Sequence, residues 1–193
     1  MANIDRPNGF HPEGTVSGAS WTAKVRRYAV AARSDATNNH GDIYLGDPVN
    51  LSTSGVITVA NSGSDVLGVV VGVGDASSIT HGDNGPFNAS DLTQRYIAHD
   101  EAGYVWVVDA KDTIFSIQTD SDLDLSPGEL ADFNVVAATA HGSRTTGFSS
   151  AELTTASDND VIVVEDDTSP NNDTTSANAV HYVMFINPVN AQS

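Results

Sequence analysis

The chain has no cysteine. Disulfides, thiolate metal sites and a cysteine nucleophile are therefore excluded, and this composition suits folding in a reducing cytoplasm. Bases are scarce: eight Lys and Arg stand against 25 Asp and Glu, for a net charge of −17. Five of the eight, Arg6, Lys24, Arg26, Arg27 and Arg33, fall in the first 34 residues, where the only acids are Asp5 and Glu13. The remainder is so acidic that it would repel phosphates, so direct binding of nucleic acid is not expected. Long apolar runs are also missing. The longest candidate, "VLGVVVGVG", has nine residues and three glycines, against the ~20 a membrane helix needs. A soluble chain with no membrane partner is expected.

The opening "MANIDRPNGFHPEGTVSGASW" has no apolar run longer than two residues, and Pro7, Pro12, Gly9, Gly14 and Gly18 interrupt any helix. It reads as neither secretory signal nor transit peptide. It reads instead as an extended N-terminal arm, residues 1–22, carrying Ile4, Phe10, Val16 and Trp21 as spaced apolar residues. Fully stretched, such an arm would reach up to about 75 Å.

Residues 23–193 read as a single all-β body. Short β-branched runs are punctuated by Gly-Asp-Pro, Ser-Gly and Ser-Gly-Ser, the residues that tight reversals require. About ten short strands in a compact β-barrel or β-sandwich are expected. "VRRYAVAA" is one strand, and Val66–Val73 is a fully buried strand bent at a glycine. "QRYIAHD" and "GYVWVVDA" read as a hairpin about "DEAG", with both faces of the second strand covered. "VIVVE" and "VHYVMFINP" read as a final antiparallel pair, and "SSAELTTAS" as a turn or two of helix capped by serine. Residues 75–93 and 165–178 read as long surface loops.

No motif supplies catalysis, a metal or a cofactor. The six histidines show none of the H-x-H, H-x-x-x-H or HExxH pairings of metal sites, and no G-x-S-x-G elbow is present. "DSDLDLSPGEL" places Asp120, Asp122 and Asp124 as in a calcium loop. It then has Leu125 where the turn glycine belongs and Ala131 where the bidentate glutamate belongs. "GVGDAS" follows a strand as a phosphate loop would, but lacks the third glycine and the helix. The chain is not expected to be an enzyme.

The ordered set "MANIDRPNGFHPEGT", "VRRYAVAA", "IYLGDPVNLSTSGVITVA", "DVLGVVVGV", "YVWVVDAKDTIFSIQTD" and "GSRTTGFSSAEL" resembles head proteins of tailed bacteriophages, in particular capsid decoration (cement) proteins. The resemblance implies a structural virion protein, made in the bacterial host cytoplasm and located on the outer capsid surface. Its partner would be the major capsid protein, and it would act often as a homotrimer. It would brace adjacent capsomers against the pressure of packaged DNA. The expected capsid interface is Ile4, Arg6, Phe10, Trp21, Lys24, Arg26 and Arg27, since aromatic and arginine side chains most often dominate interfaces. Alternatives are a tail or head–tail connector protein, or a β-sandwich module for carbohydrate or host surfaces whose platform would be Trp106, Tyr104 and Tyr96.

Overall fold

The computed structural model describes residues 3–31, 41–52, 55–75, 94–135 and 141–189. It is nearly all β, a sandwich-like arrangement and not a closed barrel. The larger sheet has six antiparallel strands in the order β1 (His11–Thr15), β9 (Thr113–Gln118), β13 (Val180–Phe185), β12 (Val161–Asp166), β10 (Leu130–Asn134) and β11 (Glu152–Thr155). The second has five: β2 (Val25–Val30), β8 (Gly103–Asp109), β6 (Gly68–Asp75), β4 (Pro48–Leu51) and β5 (Ile57–Val59). A ribbon pairs β3 (Ile43–Tyr44) with β7 (Tyr96–Ile97). Among the described residues the helical content is one 3₁₀ turn, Trp21–Lys24, capped by the Ser20 hydroxyl, which accepts from the Thr22 amide.

Period-two alternation explains the packing of the larger sheet. Phe115 and Ile117, Val161 and Val163, Val183 and Phe185 point inward and are buried, while Ile114, Ser116, Ile162, Tyr182 and Met184 alternate with them and are half-buried. The second sheet is more deeply covered: β8 buries Val105 and Val107 on one face and Trp106 on the other, as the unbroken apolar run predicts. In β6 the register shifts between Val70 and Gly72, the glycine bend expected of this strand. The final pair is present as β12 and β13, again with a bulge, between Val163 and Glu165.

Two local expectations fail. Tyr96–Ile97 does not form a hairpin with β8, because β8 already has β2 and β6 on its two edges, and the short segment pairs with β3 instead. Glu152–Thr155 is strand β11, not helix: Leu153 is fully buried opposite Phe133, and pairing with β10 overrides a marginal local preference. Strand β10 runs from Leu130 to Asn134, and residues 76–93 of the expected long loop lie outside the described residues. The 165–178 excursion is held by its own amides. Asn172 Nδ2 donates to the Asp167 and Val180 carbonyls at 2.8 and 2.9 Å.

The largest difference concerns the N-terminus. From Phe10 onward the expected arm belongs to the body. Phe10 is 1% exposed and packs among Phe185, Phe133 and Phe115, with ring centroids 4.8, 5.8 and 6.2 Å away. His11–Thr15 then pairs along β9. The seat is the Gly-Asp-Pro turn: the Phe10 amide donates to the Gly46 carbonyl at 2.9 Å. Gly9 and Gly46, at φ +71° and +86°, touch backbone to backbone. A Cβ on Gly46 would fall 2.4 Å from the Asn8 carbonyl oxygen, so no larger residue fits there. Ahead of this, Asn3 Nδ2 donates to the Asp173 and Ala177 carbonyls at 2.8 and 3.0 Å, which ties the chain to the 165–178 loop.

Candidate interaction surface

The seven residues expected to form one interface are divided by this fold. Phe10 is core and is not free to enter a partner's pocket. Ile4 is 66% exposed, and Arg6 is exposed beside β9, its amide donating to Gln118 Oε1 at 3.1 Å. Trp21 and Lys24 lie beyond the other end of β1. Lys24 Nζ donates there to the Lys111 carbonyl in the turn between β8 and β9. The length of β1 thus separates Ile4 and Arg6 from Trp21 and Lys24.

Arg26 and Arg27 remain on β2, the edge strand of the second sheet, and both are exposed. Successive strand residues project to opposite faces. Arg27 stacks over the Tyr104 ring, 5.1 Å from its centroid, whereas Arg26 lies on the side of Tyr28, whose phenol its charge influences. Among the described residues neither makes an ion pair. By contrast, Arg144 is neutralised by Asp42 at 2.7 Å.

Between β1 and β6 lies a cleft of about 250 Å³, walled by Trp21, Leu45, Val71 and Phe148, with Phe10 also contributing to its lining. The His11 ring stands 6.0 Å from that of Phe148. Burial pushes the His11 imidazole below its ordinary pKa and outweighs the opposing pull of Glu13, so the wall is uncharged near neutral pH. Trp21 is therefore half-buried in a cleft wall and not a protruding ring.

The sequence did not point to the polar centre at the β3–β7 ribbon. Asp47 is fully buried and accepts from the Tyr44 amide at 2.7 Å and from His141 Nε2 at 3.0 Å. Burial pushes the Asp47 carboxyl up. The same burial would lower His141, but the Asp47 carboxylate outweighs it and holds the imidazole above its ordinary value. His141 Nδ1 is buried with no hydrogen-bond partner among the described residues, while the Ser149 hydroxyl is close enough to Asp47 to pull its carboxyl down against the effect of burial. Nearby, Asp42 accepts from Tyr44 Oη at 3.0 Å, from the His99 amide at 3.1 Å and from Arg144 Nε at 2.9 Å. Only geometry reveals this centre, since Asp47 and His141 are far apart in sequence.

The aromatic platform that a carbohydrate module would need is not assembled. Trp106 is 4% exposed, and Tyr96 stacks on Tyr44 with centroids 5.4 Å apart, on a different sheet from Tyr104. Among the described residues no group of three His, Asp or Glu could hold a metal ion. No helix among them is long and apolar enough to cross a membrane. No protein-family model matches the chain, and neither a curated protein nor a solved structure is recognisably similar to it.

Proposed function

We propose that the chain is a structural virion protein that binds the outer surface of an icosahedral capsid and braces adjacent capsomers against internal DNA pressure. The observation that carries this reading is the pair Arg26 and Arg27. They are two exposed arginines without an ionic partner among the described residues, on the edge strand of a chain whose net charge is −17. Such charges favour an acidic protein surface and are the residue type that most often dominates interfaces. The resemblance of the ordered sequence segments to capsid decoration proteins supplies the partner, the major capsid protein, and the homotrimer as the assembled form. Copies in a trimer turn individually weak contacts into lasting attachment.

The physical demand on such a brace is modest chemistry and a rigid frame. The two sheets with their phenylalanine cluster provide the frame, and the acidic remainder faces solvent. Ile4 and Arg6 offer a second contact, separated from β2 by the length of β1, which suits a protein spanning a seam. The test is co-sedimentation with purified expanded capsid shells. Wild-type chain should pellet with shells, and the Arg26→Glu/Arg27→Glu double variant should lose most of that binding while keeping its melting temperature. Equal binding by the double variant would remove β2 from the interface.

A further inference from the structure

The outer face of the six-stranded sheet carries an apolar row that the fold covers only in part: Leu130 is exposed, and Ile114, Ile162 and Met184 are half-buried. The register sets Leu130 opposite Ile162 and Ile162 opposite Met184. Val183 pairs with Phe115, so one more step of the same register brings Met184 beside Ile114. These four side chains alternate with buried neighbours Ala131, Val161, Val183 and Phe115 and therefore point away from the core. Leu130 is 39% exposed, and Val164 at the bulge and Ile186 beyond β13 are 38% and 39% exposed. Together they form one contiguous apolar band on a sheet face.

Acidic side chains border most of the band, and Lys24 and Lys111 stand together at the β8–β9 turn beyond its Ile114 end. Asp167, Glu13 and Glu165 lie close enough to Tyr182, the next outward residue of β13, to act on its phenol. Glu129 precedes Leu130, and β9, β10, β12 and β13 contain no Lys or Arg. Four strands at ~4.8 Å spacing make the row about 14 Å long. That is the length of roughly three turns of helix. A second copy docked face to face would set acidic rim against acidic rim. We infer that the row Ile114–Met184–Ile162–Leu130 is a docking site for a short amphipathic helix of another protein, with apolar side chains along one stripe and Lys or Arg beside it. The inference does not rest on the capsid reading and concerns a different face from β2.

The test is an NMR titration of the full chain, at physiological ionic strength, with a synthetic 14-residue amphipathic helix built of Leu and Lys. A Leu and Glu helix of the same pattern serves as comparison. Shift changes should centre on Ile114, Leu130, Ile162 and Met184. Met184→Glu should weaken binding by about tenfold or more, and the Leu and Glu helix should not bind. Ile162→Thr, which keeps a β-branched residue in the strand, should weaken it as well and covers the case that Met184→Glu disturbs folding. Changes scattered over the acidic surface, or undiminished binding by the folded variants, would overturn the inference. So would equal binding of the Leu and Glu helix, or row signals that move with protein concentration alone.

Discussion

Replacing Phe10 by alanine should destabilise the whole domain, although the residue lies in a stretch whose composition suggests a free arm. The ring is 1% exposed and meets three other phenylalanines. Truncating a buried Phe costs about 3–5 kcal/mol, and the lost edge-on ring pairs argue for the upper half of that range. The adjoining cleft, which Phe10 helps line, lets neighbours and water relax into the space, which pulls the figure back to about 4 kcal/mol. A domain of this size loses roughly 2–4 °C per kcal/mol, so the melting temperature should fall by about 8–16 °C. Urea unfolding followed by tryptophan fluorescence gives the free energy directly. Deleting residues 1–22 removes β1 as well as Phe10 and should cost still more. A truncated chain with the melting temperature of the full one would refute the reasoning and restore the free arm.

Four further outcomes follow from named groups. Glu152 is pushed up to about 7 by burial and by Asp5 and Asp120. Its folded pKa exceeds the unfolded one, so its contribution is complete below about pH 4.5 and is lost as pH rises through 7. Glu152→Gln should reduce the fall in unfolding free energy between about pH 4.5 and 7 by up to about 1 kcal/mol, after allowing for solvent screening, as urea unfolding at each pH reads. His141→Ala strands the buried Asp47 carboxyl and should cost about 3–5 kcal/mol in urea unfolding. Burial alone would raise the Asp132 carboxyl, but the amides of Asp158, Ser157 and Asp160 and the Ser157 hydroxyl outweigh it and hold it low. Its stabilisation is present above the usual carboxylate range and lost as pH falls through the depressed value. Asp132→Ala should cost about 3 kcal/mol at neutral pH and reduce acid sensitivity in calorimetry. Gly46→Ala should lower the melting temperature in calorimetry, because its Cβ would fall against the Asn8 carbonyl oxygen and displace the chain that leads into Phe10.

The all-β class was legible because turn residues and β-branched runs alternate along the chain, and the β12–β13 pair because both strands are long and apolar. Strand partners were not legible. Tyr96–Ile97 carries no sign that it belongs with Ile43–Tyr44, since only the crowding of β8 by β2 and β6 decides it. Phe10 was visible as an isolated aromatic, but an isolated aromatic suits both an arm and a core. The deciding signal was Gly46 in "LGDPV", a glycine at positive φ whose missing side chain makes room for Asn8 and Gly9. Of the expected interface, Arg26 and Arg27 are placed where a partner can reach them. Trp21 lines a cleft, and the Ile114–Met184–Ile162–Leu130 row escaped notice because its members come from four separate strands.

The most direct test of the proposed role is an electron-microscopy reconstruction of virions that contain this chain. The account predicts density outside the shell at seams between capsomers, with β2 turned toward the major capsid protein, Arg26 and Arg27 at the contact, and Phe10 inside the sandwich. Density confined to the tail or the connector, or a shell bearing the chain with β2 facing solvent, would contradict it.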